Sequence, residues 1–351
     1  MLFQDSNAFF FSQKSEDHGN LRSKVDGNSV YLSQLQCASS RKWRSSYLAV
    51  INLGRERGSD RAQLVKQILQ ASQEFGFFQL VNHGISEKLM HDVWDVANEF
   101  FKLPAKDKAS LYSEDFKQRC RVYTSIDYGR EKVHYWKDSL RHPCHPVEEH
   151  AHLWPEKPSP YREVMGSYAP EVRKQSLWLL DIIWEGLGLT PGYFRDELSQ
   201  VQVITHVHHY PPCPDPSLTL GLPKHVDPYL LTFLLQGEVK GLQVLKDGQW
   251  LAVEPLPNAL VVNIGYTLQI LSNGKLHSAE HRVVTRRDIS RTTVCIFIHP
   301  SDDCQIGPVK ELLSDCNPPL YRDIAYGDFF STYVQDTQQR VPPLERYKIL
   351  H

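Results

Sequence analysis

The sequence predicts an α+β protein built on a double-stranded β-helix, or jelly-roll barrel, with a helical and strand region before it and a C-terminal helix after it. Three observations carry this. From about residue 201, short β-branched apolar runs (201–207, 230–235, 259–264, 283–285 and 292–298) alternate with Gly, Asn and Pro, the pattern of many short antiparallel strands. Upstream, apolar residues recur instead at helical spacing. The chain has 351 residues, 41% of them apolar, which is enough for one sizeable core.

Taken in order, residues 1–46 are polar and rich in Ser, Asn, Gln and Lys, and a poorly ordered leader is expected there. Order is expected to begin near Leu48-Ala49-Val50-Ile51. Over 60–75, Leu64, Ile68 and Phe75, with Val65 and Leu69, form a helical stripe that Gly76 ends. Residues 77–81 predict a buried strand, and Asn82-His83-Gly84 the turn after it. Ser86 is placed to cap a second helix with the stripe Leu89, Val93, Ala97 and Phe100. Residues 104–160 are Pro-rich and irregular, with Trp136 and Trp154 as packing anchors. A long helix is expected over 161–187, kinked or divided at Pro170 and ended by Gly188. Asn273-Gly274 is a hairpin signal. The chain thus divides into a leader (1–46), an N-terminal region (47–160), a long helix region (161–200), the barrel (201–300) and a tail with a helix (301–351).

Composition excludes several classes. Net charge is −2, from 39 basic and 41 acidic residues, and no basic stripe suits nucleic acid. No apolar run approaches the length of a membrane span. The short apolar patch at 8–11, with Asp5 just before it, is not a secretory signal. Seven cysteines, with no CxxC pair, argue against a disulfide framework or zinc ribbon. A monomer in the cytoplasm is the expectation.

The sharpest local feature is His225-Val226-Asp227. In a strand, residues i and i+2 face the same way, so an imidazole and a carboxylate would point at one spot. These are two thirds of the facial triad that holds non-haem Fe(II). Alone, such a tripeptide is a weak signal and reads more readily as a polar strand end beside Pro228. A third ligand is offered by His281, just before a β-branched run. Ten residues further on, Arg291 and Thr293 would share one strand face. An Arg guanidinium is a natural fork for a distal carboxylate, and a hydroxyl two residues on can share it.

In these residues the chain resembles the plant soluble 2-oxoglutarate- and Fe(II)-dependent dioxygenases. Their pattern is HxD, a long spacer, His, a shorter spacer, then RxS. Here 53 residues separate Asp227 from His281, and 9 separate His281 from Arg291. Phe77 to Ile85, Tyr210-Pro211-Pro212-Cys213-Pro214, Gly241-Leu242-Gln243-Val244 and Val262-Asn263-Ile264-Gly265 extend the match from about residue 47 to the end. Tyr135-Trp136-Lys137-Asp138, Glu197-Leu198-Ser199-Gln200 and Asn317-Pro318-Pro319-Leu320-Tyr321 resemble the hyoscyamine 6β-hydroxylase-like members, which suggests an alkaloid. Salicylate-type phenolic hydroxylases share much of the same barrel.

The resemblance implies Fe(II) on His225, Asp227 and His281. It implies 2-oxoglutarate with its far carboxylate on Arg291, Thr293 and Tyr210, and ascorbate as reductant. O2 and a small molecule would be the substrates, with succinate and CO2 released. Hydroxylation is the expected outcome, with desaturation or ring closure as variants. Two residues depart from the pattern. His208 stands where the family has Asn, and is expected to donate a hydrogen bond beside the keto acid and to titrate near neutral pH. Thr293 replaces Ser, keeping the hydroxyl and adding a methyl. Tyr326, Phe329 and Tyr333 share a helical face near the C-terminus. They are candidates for the substrate pocket, with core packing as the alternative, and Tyr229 and Phe297 are weaker ones. Glu114, Asp115 and Asp127 carry no specific signal as partners for an amine. Competing readings are an oxidase that uses no keto acid, and a non-catalytic binding barrel with impaired 2-oxoglutarate use.

Overall fold

A computed structural model describes residues 48–55, 61–115, 117–124, 134–190, 201–339 and 341–349. The expected leader lies outside them, as do Asp127 and the segment 197–200. The strands are β1 (Ala49–Asn52), β2 (Phe77–Val81), β3 (Arg121–Tyr123), β4 (Asp138–Pro143), β5 (Gln202–Tyr210), β6 (Leu220–His225) and β7 (Leu231–Leu235). They continue with β8 (Leu242–Lys246), β9 (Gln249–Ala252), β10 (Leu260–Ile264), β11 (His281–Val284), β12 (Arg291–His299), β13 (Gln305–Ile306) and β14 (Ile324–Ala325). The main helices are α1 (Arg61–Glu74), α2 (Glu87–Lys102), α3 (Tyr161–Leu187), α4 (Tyr266–Leu271) and α5 (Tyr326–Gln339).

An eight-stranded sheet runs β1-β2-β10-β7-β12-β5-β4-β3, and a four-stranded sheet runs β6-β11-β8-β9. The period of two in a strand separates two cores. On β12, Val294, Ile296 and Ile298 pack outward with Ile68, Val93, Phe100, Leu179 and Ile183 of the helices. Cys295 and Phe297 point inward, into a smaller cluster with Phe77, Tyr210, Tyr229, Val244 and Val283. All nine residues of β12 are therefore buried, which is why it reads as a continuous apolar run.

The helix signals act through their caps. Ser86 accepts a hydrogen bond from the Leu89 amide, 3.1 Å, contributing about 1 kcal/mol. Gly76 and Gly188 adopt positive φ (66° and 85°) at the ends of α1 and α3. Their amides turn back to Ala71 and Glu185, the geometry glycine best accommodates. Trp154 is buried, its indole N–H donating to the Pro143 carbonyl at 2.8 Å, while Trp136 is half-buried.

Three expectations need correction. First, Pro170 does not divide the helix: α3 is one helix from Tyr161 to Leu187 with Pro170 inside it. Pro170 lies on the exposed side, and Tyr168, Ala169 and Val172 carry the buried face past it. Second, Asn273-Gly274 makes no hairpin. Both have positive φ (51° and 76°), but they close α4: the Asn273 amide bonds to Ile270 and the Gly274 amide to Gln269. The left-handed signal was sound, and a helix end used it instead of a strand pair. Third, the region 104–160 contains β3 and β4, which extend the large sheet beyond β5. Their inward positions are Arg121, Tyr123, Ser139 and Arg141, so no apolar alternation marked them as strands.

Candidate metal centre

His225 closes β6 and His281 opens β11, and the two are cross-strand partners. Their ring centroids are 4.2 Å apart. Each ring is oriented from behind. His225 Nδ1 faces the Pro223 carbonyl at 2.9 Å and His281 Nδ1 the Ala279 carbonyl at 3.2 Å. Nδ1–H donation leaves each Nε2 as a lone-pair donor, the arrangement a metal-binding imidazole needs. Phe77 abuts the His281 ring edge-on at 5.1 Å.

Asp227 is not in the strand. The ladder stops at His225, which faces His281, the first residue of β11. The loop is held instead by other contacts. The Tyr266 amide donates to the Asp227 carbonyl at 2.8 Å, and Thr267 Oγ1 donates to the Pro228 carbonyl at 2.6 Å. The Tyr333 hydroxyl donates to the Val226 carbonyl at 2.9 Å. Gly265 lets α4 approach this closely, since a Cβ there would collide with the Tyr229 carbonyl. The result places Asp227 Oδ1 at 3.4 Å from His225 Nε2 and 3.7 Å from His281 Nε2.

The other carboxylate oxygen is occupied. Oδ2 accepts from Thr232 Oγ1 at 2.6 Å and Asn263 Nδ2 at 2.9 Å. Neither residue carries a signal of its own in the sequence: Asn263 lies in the family-like segment 262–265, but nothing in the spacing links it or Thr232 to Asp227. Burial pushes the Asp227 carboxyl up, yet His281 and His225 beside it hold it well below the usual range. Burial and the neighbouring His225 lower His281 to about 4, against the pull of Asp227. An anionic carboxylate and a neutral imidazole are the protonation states that metal binding requires.

The three ligand atoms lie within 4.8 Å of one another, and no other such group of His, Cys, Asp or Glu occurs among the described residues. This donor set, with one face open, suits Fe(II). His208 is not part of it.

On the opposite wall, Arg291 pairs with Tyr210 and Thr293 with His208 along β12 and β5. Arg291 is buried; its Nε donates to the Val239 carbonyl at 3.0 Å, and its Nη2 has no hydrogen-bond partner. The guanidinium carbon lies 5.5 Å from the Tyr210 ring centre. Gly241 leaves the space for this side chain, since a Cβ there would sit 2.9 Å from Arg291 Cδ. A buried cation with an orphaned donor is costly unless an anion completes it, so the wall fits the distal carboxylate of 2-oxoglutarate. His208 Nδ1 lies 2.8 Å from Ser139 Oγ. Burial, reinforced by Lys137 and Arg291, holds its pKa well below the ordinary histidine value. The expected titration near neutral pH is therefore corrected: the ring stays neutral.

The chain belongs to the 2OG-Fe(II) oxygenase superfamily. The model of that family matches residues 198–300, and the model of the N-terminal region of the non-haem dioxygenases in morphine synthesis matches residues 48–158. Hyoscyamine 6-dioxygenase of Hyoscyamus niger is 44% identical over 298 residues, 82% of this chain and 86% of its own. Flavanone 3-dioxygenase 2 of Oryza sativa subsp. japonica is also 44% identical, over 78% of this chain and 80% of its own. The crystal structure of JOX2 in complex with 2OG, Fe and JA superimposes with a TM-score of 0.77 at 31% identity, covering 89% of this chain and 92% of that one. This oxygenase is accordingly an enzyme with a jelly-roll core, and Fe(II) and 2-oxoglutarate are its cofactor and cosubstrate.

Within the oxygenase the aromatic candidates separate. Tyr229 and Phe297 face each other at 4.4 Å inside the barrel. Tyr326 and Phe329 lie in a different cluster, with Ile270, Ile306, Leu344 and Tyr347. Tyr326 stacks on His299 at 5.3 Å, and Phe329 meets Tyr347 at 5.6 Å. Tyr333 reaches the metal loop through Val226. Phe330, which the sequence reading passed over, lies 6.1 Å from Tyr229 and packs against both clusters. It stands four residues after Tyr326 and so shares the helical face of Tyr326, Phe329 and Tyr333.

Proposed function

We propose that this oxygenase holds Fe(II) on His225, Asp227 and His281, binds 2-oxoglutarate through Arg291 with Thr293 and Tyr210, and hydroxylates a small specialised metabolite. The observation that carries this is the pairing of one convergent His-Asp-His group with a buried, incompletely bonded guanidinium across the same barrel interior. When bound, iron and the keto acid supply the oxidising chemistry with O2, releasing succinate and CO2, and ascorbate keeps the metal reduced. The chain's own residues supply position. The carbonyls of Pro223 and Ala279 aim the imidazoles, and Thr232 and Asn263 aim the carboxylate. Arg291 fixes the far end of the keto acid. Tyr229, Phe297 and Phe330 offer the apolar surface for the substrate.

The likeness to hyoscyamine 6-dioxygenase supports an alkaloid substrate, but equal identity to flavanone 3-dioxygenase 2 supports a phenolic one as well. The enzyme is proposed to act as a monomer in the cytoplasm; no described helix is long and apolar enough to cross a membrane. The test is incubation with a plant metabolite extract, Fe(II), 2-oxoglutarate, ascorbate and 18O-labelled O2. A product that gains one labelled oxygen atom supports hydroxylation. Succinate release with no oxygenated product from any fraction would refute it.

A further inference from the structure

The unexpected strands β3 and β4 build one wall of the barrel interior, and that wall is cationic. Cross-strand registers run Arg121 to Arg141 and Arg141 to His206, then His206 to Cys295. All four residues share one sheet face. The face is the inward one. His206 meets Phe297 edge-on at 4.8 Å, Phe297 meets Tyr229, and Asp227 acts electrostatically on Tyr229. The row thus leads from the β3 edge to the aromatic pair beside the metal loop.

Arg141 is the informative member. It is half-buried, and its guanidinium makes no hydrogen bond or ion pair with any described residue. Its charge is nevertheless felt at Tyr123, His206, Tyr229 and His299. Arg121, 4% exposed, lies over the Tyr123 ring at 4.2 Å, and its Nε is buried without a partner. Exposed Asp115 and Glu114 balance Arg121 from outside. Lys137, also buried, acts on His206, His208 and Cys295. The carboxylate acting on His208, Tyr229 and Cys295 is Asp227, and it is committed to the two histidines. Among the described residues the Arg141 guanidinium has no carboxylate paired with it, while the facing surface is aromatic.

We propose that the substrate is a small organic acid, with its carboxylate on the Arg141 guanidinium and its apolar body against Tyr229 and Phe297. The assignment rests on the oxygenase reading above and sharpens it. A guanidinium presents paired donors that match a carboxylate. An ammonium at the same place would face like charge from Arg141. The amine suggested by the alkaloid-hydroxylase resemblance therefore does not suit this wall, whereas an acid does.

The test divides a plant metabolite extract on ion exchangers into acidic, neutral and basic fractions. Each is incubated with the full-length enzyme, Fe(II), 2-oxoglutarate and 18O-labelled O2. Labelled products are expected from the acidic fraction. For the acid that reacts, Arg141→Gln should raise KM about 10- to 150-fold, the equivalent of a charged hydrogen bond, and far more than it raises KM for 2-oxoglutarate. Arg141→Lys should recover part of the loss. Oxygenation confined to the basic or neutral fraction, or a KM that Arg141→Gln leaves unmoved, would overturn the assignment. Absence of labelled product from every fraction would instead count against the oxygenase reading itself.

Discussion

At the scale of single residues, the metal centre depends on groups that never touch the metal. Thr232 and Asn263 anchor one oxygen of Asp227 and so aim the other at His225 and His281. Losing such support typically lowers metal affinity about 10- to 100-fold. Thr232→Ala and Asn263→Ala should each weaken Fe(II) binding by that order, read by metal titration, with the fold retained. The triad itself was legible because ligand chemistry needs particular residue types at a few spacings. Thr232 and Asn263 were not, because Thr and Asn serve many purposes and their partnership with Asp227 exists only after β7 and β10 pair. His208 gives a second prediction at this scale. Burial keeps its imidazole neutral. The KM for 2-oxoglutarate of the wild type and of His208→Asn should then follow the same profile between about pH 5.5 and 7.5, where an ordinary histidine titrates. A profile that flattens only in the Asn variant would show that the ring does take up a proton there.

Among the elements, α5 performs two tasks from adjacent positions. Phe329 has no exposed surface and sits in the C-terminal cluster, so Phe329→Ala should cost about 3–5 kcal/mol of stability. Tyr333→Phe removes one hydrogen bond to the Val226 carbonyl, worth about 1 kcal/mol. That bond lies between two of the proposed metal ligands, so the change should appear in Fe(II) affinity more than in thermal stability. Calorimetry and metal titration on both variants separate the two roles. A stable, inactive Phe329→Ala protein would place Phe329 at the substrate after all. The same logic explains which elements could be read. Strands such as β12, buried on both faces and apolar over 294–298, stand out. β4 does not, since its sequence Asp-Ser-Leu-Arg-His-Pro alternates for a polar interior and not for a core. A polar lining erases the apolar periodicity that marks a strand.

For the whole molecule, the histidines set an acid limit. Burial lowers His142 to about 3 and His209 and His299 to about 4, and it lowers His206 and His208 well below the ordinary 6.5. The folded state therefore refuses protons that the unfolded chain accepts. Stability should be fully present above about pH 6.5 and fall as the pH drops toward 4, by about 1.4 kcal/mol per pH unit for each such histidine. Thermal melts over that range check this; a Tm that holds steady down to pH 4 would contradict it. The barrel as a whole was readable from its short strands and turns. Its closure around one site was less so, because β6 and β11 meet across 55 residues of intervening chain. The central claim is that this closure assembles an iron site which consumes 2-oxoglutarate. It is tested most directly by measuring succinate formed from 2-oxoglutarate under air, with Fe(II) supplied, for the wild type, Asp227→Ala and Arg291→Lys. The account predicts succinate from the wild type, none from Asp227→Ala, and a KM for 2-oxoglutarate raised about tenfold or more in Arg291→Lys. Undiminished succinate from Asp227→Ala would contradict it.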